Sequence, residues 1–462
     1  MRIKTYAFLI ALACAASLAA QQPQKQKPPA PGTPRNFSIP EVRRFDLPNG
    51  LKVRFVAYGA VPKVAVRLVT QTGNIDEGEN EVWLADLTGT MMEEGTTSRS
   101  AQQIARDVAM MGGSLDIGVG TNQTTIGTEV FSESATDAVK LVAEVARSPL
   151  FPESDLARLK GDMARNLSIQ RSQPGPLAAE KFSEVLYGKH PYGRMFPTEQ
   201  ALQSYTLDQV RSFHARNFGA ARSFLYVIGR FDAPAVEQAI RQNLGEWKAG
   251  APGTEPQGTP VAARSLELVD RPGAQQSTLQ IGLPVIDATN PEYLSLQVMN
   301  ALLGGSFGSR ITSNIREQKG YTYSPGSAVA SRLGAAAWSE TADVTTNVTG
   351  ASIKEILFEI NRLRDEPPTS EELRGIQNYL AGTFVLRNSA RNNIAAQLAF
   401  LDLYGLSEDY LRNYVQNVYA LTPADIQRMA KTYIDPAKLA IVVVGDRSKV
   451  AEQLKPYGEI HE

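Results

Sequence analysis

The sequence is short of the residues that most often carry chemistry. Its single cysteine, Cys14, falls among the first twenty of 462 residues, and there are three histidines, His190, His214 and His461. One thiol excludes a disulfide framework and a thiolate zinc cluster, and leaves no cysteine nucleophile beyond the N-terminal segment. The histidines are too far apart to set two imidazoles one helical turn from each other, so a His-x-x-x-His metal pair is excluded too. Charge of one sign is also lacking, with 47 Lys and Arg against 48 Asp and Glu. Nothing in that balance calls for a phosphate backbone or an anionic lipid surface, and no nucleic-acid partner is expected. Beyond the N-terminus no stretch approaches the ~18 consecutive apolar residues of a membrane span.

What is present is material for a large core: 43% of residues are hydrophobic, with 16 Phe and 16 Tyr. At a usual domain size of about 100–200 residues this length suggests two to four domains. Arg2 and Lys4 precede an apolar run to Cys14, and small residues follow to Ala19 and Ala20. That order reads as a secretory signal over residues 1–20, cleaved near Ala20, and implies an exported, periplasmic protein. Lipoprotein anchoring at Cys14 would need an unusually short signal and is the weaker reading. Residues 21–36 hold five prolines and four glutamines and read as an extended linker. A second Pro- and Gly-rich stretch, 249–264, divides the remainder into domains at 37–248 and 265–462.

The two domains repeat one pattern. Thr206, a helical stretch and the aliphatic run FLYVIG ending at Gly229 recur 216 residues later as Thr422, a helix and AIVVVG ending at Gly445. Each threonine reads as an N-cap and each run as a buried strand. In the first domain, residues 45–56 and 61–72 alternate like the strands of a hairpin, and 114–120 and 124–131 like another. Helices are expected near 83–92, 101–111, 135–147, 152–170 and 177–186. The second domain follows the same order, with helices at 291–303 and 310–318, strands at 321–330 and 335–341, and a capping box at Thr369 and Glu372 opening a long helix. The expected fold is α+β: two homologous layered halves, each a mostly antiparallel sheet covered by helices on one face.

Several ordered landmarks carry a family resemblance. They are FDLPNGLKV from Phe45 to Val53, GGSLDI from Gly112 to Ile117, HPYG from His190 to Gly193, and the run closing at Gly445. Together with the duplication they resemble the pitrilysin/insulinase-type metallopeptidases, which include the mitochondrial processing peptidases. The resemblance covers essentially the whole chain after the signal. It implies a His-x-x-Glu-His helix before a Gly-Thr, with two histidines on zinc and the glutamate as general base. Here the stretch ends at Gly95 and Thr96 and offers Asp86 and Thr90 in place of the histidines and Gly89 in place of the glutamate; the third ligand falls at Arg165 or Asn166. No metal is therefore expected in this chain. Glu93 and Glu94 beside Gly95 read as a solvated helix end, and His190 and His214 as packing or surface residues. His461, next to the last residue, is expected to be disordered.

The family's arginine and tyrosine, seven residues apart, are retained as Arg316 and Tyr323. By resemblance they hydrogen-bond the substrate carbonyl across the zinc. Arg316 is expected in the last turn of a helix ended by Gly320, followed by a strand bearing Tyr321 and Tyr323 on one face. Gly113, Leu115 and Asp116 resemble the edge strand on which an extended peptide is laid by strand addition. The glycine-rich GGSFG, 304–308, lies between two helices, which speaks against a phosphate cradle. The implied function is that of a zinc-less subunit of a heterodimeric metallopeptidase, with zinc in a homologous partner chain. The alternative is a non-proteolytic peptide-binding or scaffold protein of the same fold.

Overall fold

A computed structural model describes residues 40–253, 258 and 260–461. The expected signal peptide, Cys14 and the 21–36 linker lie outside the described residues, as does part of 249–264. Among the described residues, eleven strands form two sheets. The first contains β1 (Val42–Asp46), β2 (Lys52–Ala57), β3 (Lys63–Thr70), β4 (Asp116–Val119), β5 (Thr124–Phe131) and β6 (Ser223–Gly229), in the order β1-β2-β6-β3-β5-β4. The second contains β7 (Ser265–Asp270), β8 (Gln276–Val285), β9 (Gly326–Ala330), β10 (Ala336–Thr345) and β11 (Ala440–Gly445), in the order β7-β11-β8-β10-β9. Leaving out β1, the two orders superpose strand for strand, and in each sheet one pair is parallel, β2 with β6 and β7 with β11. The repeat seen in the sequence is therefore a repeat of topology.

Strands 45–56 and 61–72 do not form the expected hairpin. β1 pairs with β2, and β6 is inserted between β2 and β3. The reason is burial. Every residue of β6 is buried, so neither its edges nor its faces can meet water, and it takes a partner on each side. Alternation within β2 and β3 shows a half-buried strand but not which strand lies beside it.

Within each half its own helices pack on one face of its sheet. In the first, Leu84–Glu93 and Ala135–Arg147 meet Leu68, Ile126, Leu225 and Val227. The opposite faces are closed by exchange. Pro174–Tyr187, from the first half, sets Ala178, Phe182 and Leu186 on Ala337, Val442 and Val444 of the second sheet. Arg391–Tyr404, from the second half, sets Ile394, Leu398 and Ala399 on Val56, Val69, Tyr226 and Ile228 of the first. Gly282 makes room for this, since a Cβ there would lie 2.8 Å from the Phe182 ring. Each Leu or Ile so buried contributes about 1.5–3 kcal/mol. A polar lock accompanies the packing: Asp402 accepts from Tyr226 Oη at 2.8 Å and from Arg54 Nη2 at 3.2 Å.

His214 is a core residue, stacked on Phe218, with Nε2 2.9 Å from the Ala146 carbonyl; burial lowers its pKa to about 4. His461 is ordered, contrary to expectation. Its N–H donates to Leu266 and its carbonyl accepts from Leu268, which covers the outer edge of β7 where the first sheet has β1. No helix among the described residues is long and apolar enough to cross a membrane.

Candidate functional site

The helix Leu84–Glu93 begins at Trp83, held in the left-handed region with φ 69°. Its indole donates to the Met195 carbonyl at 3.0 Å and meets Phe196 edge-on, contacts that offset the strain of that backbone. The first turn is capped from outside: Glu77 Oε1 accepts from Ala85 N at 2.9 Å and from Asn74 Nδ2 at 3.2 Å. Asn74 Nδ2 also donates to Asp86 Oδ2 at 2.7 Å, so Asp86 is drawn into a buried knot of two carboxyls around one amide. Burial pushes Glu77 up to about 8 despite the Ala85 hydrogen bond, and burial also raises Asp86.

The other two positions are closed in a different way. Thr90 Oγ1 donates back to the Asp86 carbonyl at 2.9 Å. At Gly89 a Cβ would lie 2.5 Å from Val119 Cγ2 of β4, so the space a general base would need is filled by a valine. Arg165 and Asn166, on Glu153–Ser172, are exposed, and Arg165 is paired with Asp162. Glu94 accepts from Arg158 Nη2 at 2.6 Å beside the left-handed Gly95, as a solvated helix end should. The residues at this site do not fit a zinc ion: one carboxylate, tied to an amide, stands where three ligands would be needed. Among the described residues no group of three or more His, Cys, Asp or Glu is placed to hold a metal.

Glu77 gives a pH test. Its folded-state pKa lies above the unfolded value, so its contribution is complete below about pH 4.5 and is lost as pH rises through about 8. Glu77→Gln keeps the acceptor for Ala85 but cannot ionise. Its unfolding free energy should equal that of the parent near pH 4.5 and exceed it increasingly toward pH 8, by on the order of a few kcal/mol, with the melting temperature rising in step. Parallel pH profiles for the two proteins would show that Glu77 carries no buried proton.

β4 is the outer strand of its sheet, paired on one side with β5. Asp116 opens it and is bound by Arg67 Nη1 at 2.8 Å across Gly127. Gly113 and Leu115 precede the strand rather than lying in it. Gly113 closes the Ala101–Met110 helix, donating to the Val108 carbonyl, and a Cβ there would meet the Glu129 carbonyl at 2.4 Å. The equivalent edge in the second half is sealed: Ser327 of β9 donates from its N–H to Gly304 and accepts at its carbonyl from Asn300. The start of the β9 edge is thus occupied, whereas β4 pairs only with β5.

In the second half, Thr312–Gln318 is wound as a π-helix, a form concentrated at functional sites. Arg316 is in its last turn, and Gly320, at φ 65°, ends it as expected. No strand follows at once. Tyr321 and Tyr323 lie in a loop, with Thr322 making a single bridge to Val344, and β9 begins at Gly326. The wide turn spends the Tyr321 N–H on the helix, donating to Ile315 at 2.8 Å, so only a single bridge to β10 forms here, the Tyr321 carbonyl accepting from Thr345 N–H. The loop still brings the pair together. The Arg316 guanidinium carbon lies 5.0 Å from the Tyr323 ring centre and 4.4 Å from that of Phe307, with Nε 3.2 Å from Glu317. Tyr323 is 80% exposed and Phe307 70%. Aromatic rings left this open beside a cation are suited to contacting a ligand.

Gly304 has a packing role. A Cβ there would lie 2.3 Å from Oε2 of Glu340, a fully buried carboxyl whose pKa burial raises well above the usual carboxylate range. Sequence reasoning missed Val119, Phe307 and the Glu77–Asn74 knot.

Two family models match in turn, meeting near residue 200 within the first half. Residues 56–197 match the family model described as insulinase (peptidase family M16), and residues 204–380 match that described as peptidase M16 inactive domain. An uncharacterized zinc protease of Rickettsia felis is 25% identical over 73% of this chain and 81% of its own. One of Streptomyces coelicolor is 21% identical over 90% and 92%. Among solved structures, a peptidase M16 inactive domain from Pseudomonas fluorescens superposes with a TM-score of 0.81 at 25% identity, covering 88% of this chain and 98% of that one.

Proposed function

Because the chain belongs to the insulinase (M16) peptidase family, we propose that it is the zinc-less partner of a homologous, zinc-bearing chain in an exported heterodimeric peptidase. The observation that carries this reading is the asymmetry of its two half-sites. One is closed, with Gly89 filled by Val119; the other is kept, with Arg316 and Tyr323 held side by side and open. An extended peptide would add to β4 as a further strand, backbone to backbone. Arg316 and Tyr323 would donate to the oxygen of the scissile carbonyl and stabilise the negative charge that develops there. The metal and the water it activates would belong to the partner chain.

The reading is tested by recovering the protein from its native host. A complex with a zinc-bearing relative is expected, with chelator-sensitive peptide hydrolysis that needs both chains. One zinc held by this chain alone, with hydrolysis by it alone, would overturn it. The second reading, a non-proteolytic peptide-binding or scaffold protein, is favoured by one detail, the Glu317 carboxylate already on Arg316 Nε.

A further inference from the structure

We propose that the hollow between the glycine-rich turn 304–308 and the Ser370–Arg387 helix is a side-chain pocket selecting peptides with a large apolar residue beside the bond held by Arg316 and Tyr323. This rests on the peptide-binding reading above and adds the substrate class. The hollow encloses about 540 Å³, within the range of ligand sites. Leu302 and Ile376 form a buried floor, and Phe307 and Tyr379 form exposed walls. Phe307 joins the hollow to the arginine, since the ring that lines it also stacks on Arg316. A carbonyl reaching Arg316 would thus carry a neighbouring side chain to the mouth of the pocket.

Two features show that the space is kept open. Gly308 and Gly375 line it, and at neither would a Cβ meet any atom within 4 Å. Gly375 is in the exposed interior of a helix, where alanine would be more stable, so the glycine costs stability while leaving the hollow unfilled. The repeat supplies a contrast. The equivalent helix of the first half, Glu153–Ser172, covers its outer face with Asp155, Arg158, Asp162 and Arg165, paired with one another. An apolar face here is therefore particular to this half. The hollow is also not an acidic site at its base: both Glu372 oxygens are bound by Arg310, at 2.7 and 3.0 Å. Glu371 stands exposed at the rim. Apart from the hydroxyls of Ser306 and Thr369, what is left to recognise a side chain is the apolar surface of Leu302, Phe307, Ile376 and Tyr379.

The experiment measures binding of dye-labelled, alanine-based extended peptides to the mature chain alone by fluorescence anisotropy, with a single central Phe, Leu, Asp or Lys. The Phe and Leu peptides are expected to bind at least ~10-fold more tightly than the Asp and Lys peptides. Gly375→Leu fills the hollow and should reduce that preference to less than ~3-fold without lowering the melting temperature. Gly382→Leu, about two helical turns further along the same helix and outside the pocket lining, should leave the preference intact. Binding without preference, or a preference that survives Gly375→Leu, would overturn the pocket while leaving peptide binding in place. Failure of the chain to bind any of the peptides would overturn the peptide-binding reading and the pocket with it.

Discussion

Gly89→Glu is expected to destabilise the protein by about 3–5 kcal/mol, which amounts to loss of the soluble folded form or a fall of several degrees in melting temperature. The helix backbone at Gly89 faces β4 so closely that even a Cβ would lie 2.5 Å from Val119 Cγ2, and a carboxylate would be placed among buried residues without a partner. Val119→Ala should recover part of the loss by vacating the space. It follows that replacing Asp86, Gly89 and Thr90 together with the family's His, Glu and His will not create a zinc site while Val119 remains. Calorimetry on the single and double variants decides the matter. An unchanged melting temperature for Gly89→Glu would mean that β4 yields and that the site is merely unused.

The second large effect concerns the retained pair. In the complex with a zinc-bearing partner, Arg316→Ala or Tyr323→Phe should lower kcat by ~10²-fold or more, since the donors act on charge that appears in the transition state. Tyr323→Phe is the sharper variant because it keeps the ring that stacks on Arg316 and removes only the hydroxyl. Neither change should move the melting temperature, because Tyr323 packs on no core and Arg316 is held from outside by Phe307 and Glu317. Tyr321→Ala is the control. Its backbone contacts with Ile315 and Thr345 persist in the variant, so it should mainly raise KM. Equal small effects at all three positions would put the scaffold reading ahead.

How far the sequence discloses this structure depends on whether a feature is local. The repeat was legible because it is written in N-caps and aliphatic strands: Thr206 and Thr422 both open capping boxes, closed by Gln209 and Asp425. Helix ends were legible for the same reason, Gly320 and Gly95 both taking the left-handed turn expected of them. Strand order was not, because the alternation in β2 and β3 is satisfied by any neighbour. The exchange of helices was not either, since the apolar stripe of Phe182 and Leu186 is the same whichever sheet it covers. A hint did exist in β6 and β11, aliphatic or aromatic throughout apart from Ser223 and the closing glycines, which implies that both faces are covered. At the site, substitution of the ligand positions could be read from Asp86, Gly89 and Thr90. Closure of the site could not, because Val119 looks like any residue of an outer strand. The loop geometry of Tyr323 was misjudged because the π-turn claims backbone groups that would otherwise have started a strand.

The exchanged helices also set the order in which the molecule can be made. When Gly229 leaves the ribosome the first sheet has all its strands, yet the face bearing Val56, Val69, Tyr226 and Ile228 has nothing to cover it until Tyr404 has been added. At usual rates of synthesis that interval lasts about 10–30 s, long compared with the collapse of a chain. Throughout it a greasy sheet face is presented to every other nascent chain and to holding chaperones. The protein should therefore refold poorly from dilute denaturant unless such a chaperone is added. The fragments 37–248 and 265–462 made separately should aggregate, whereas made together they should find each other and form the same structure as the intact chain.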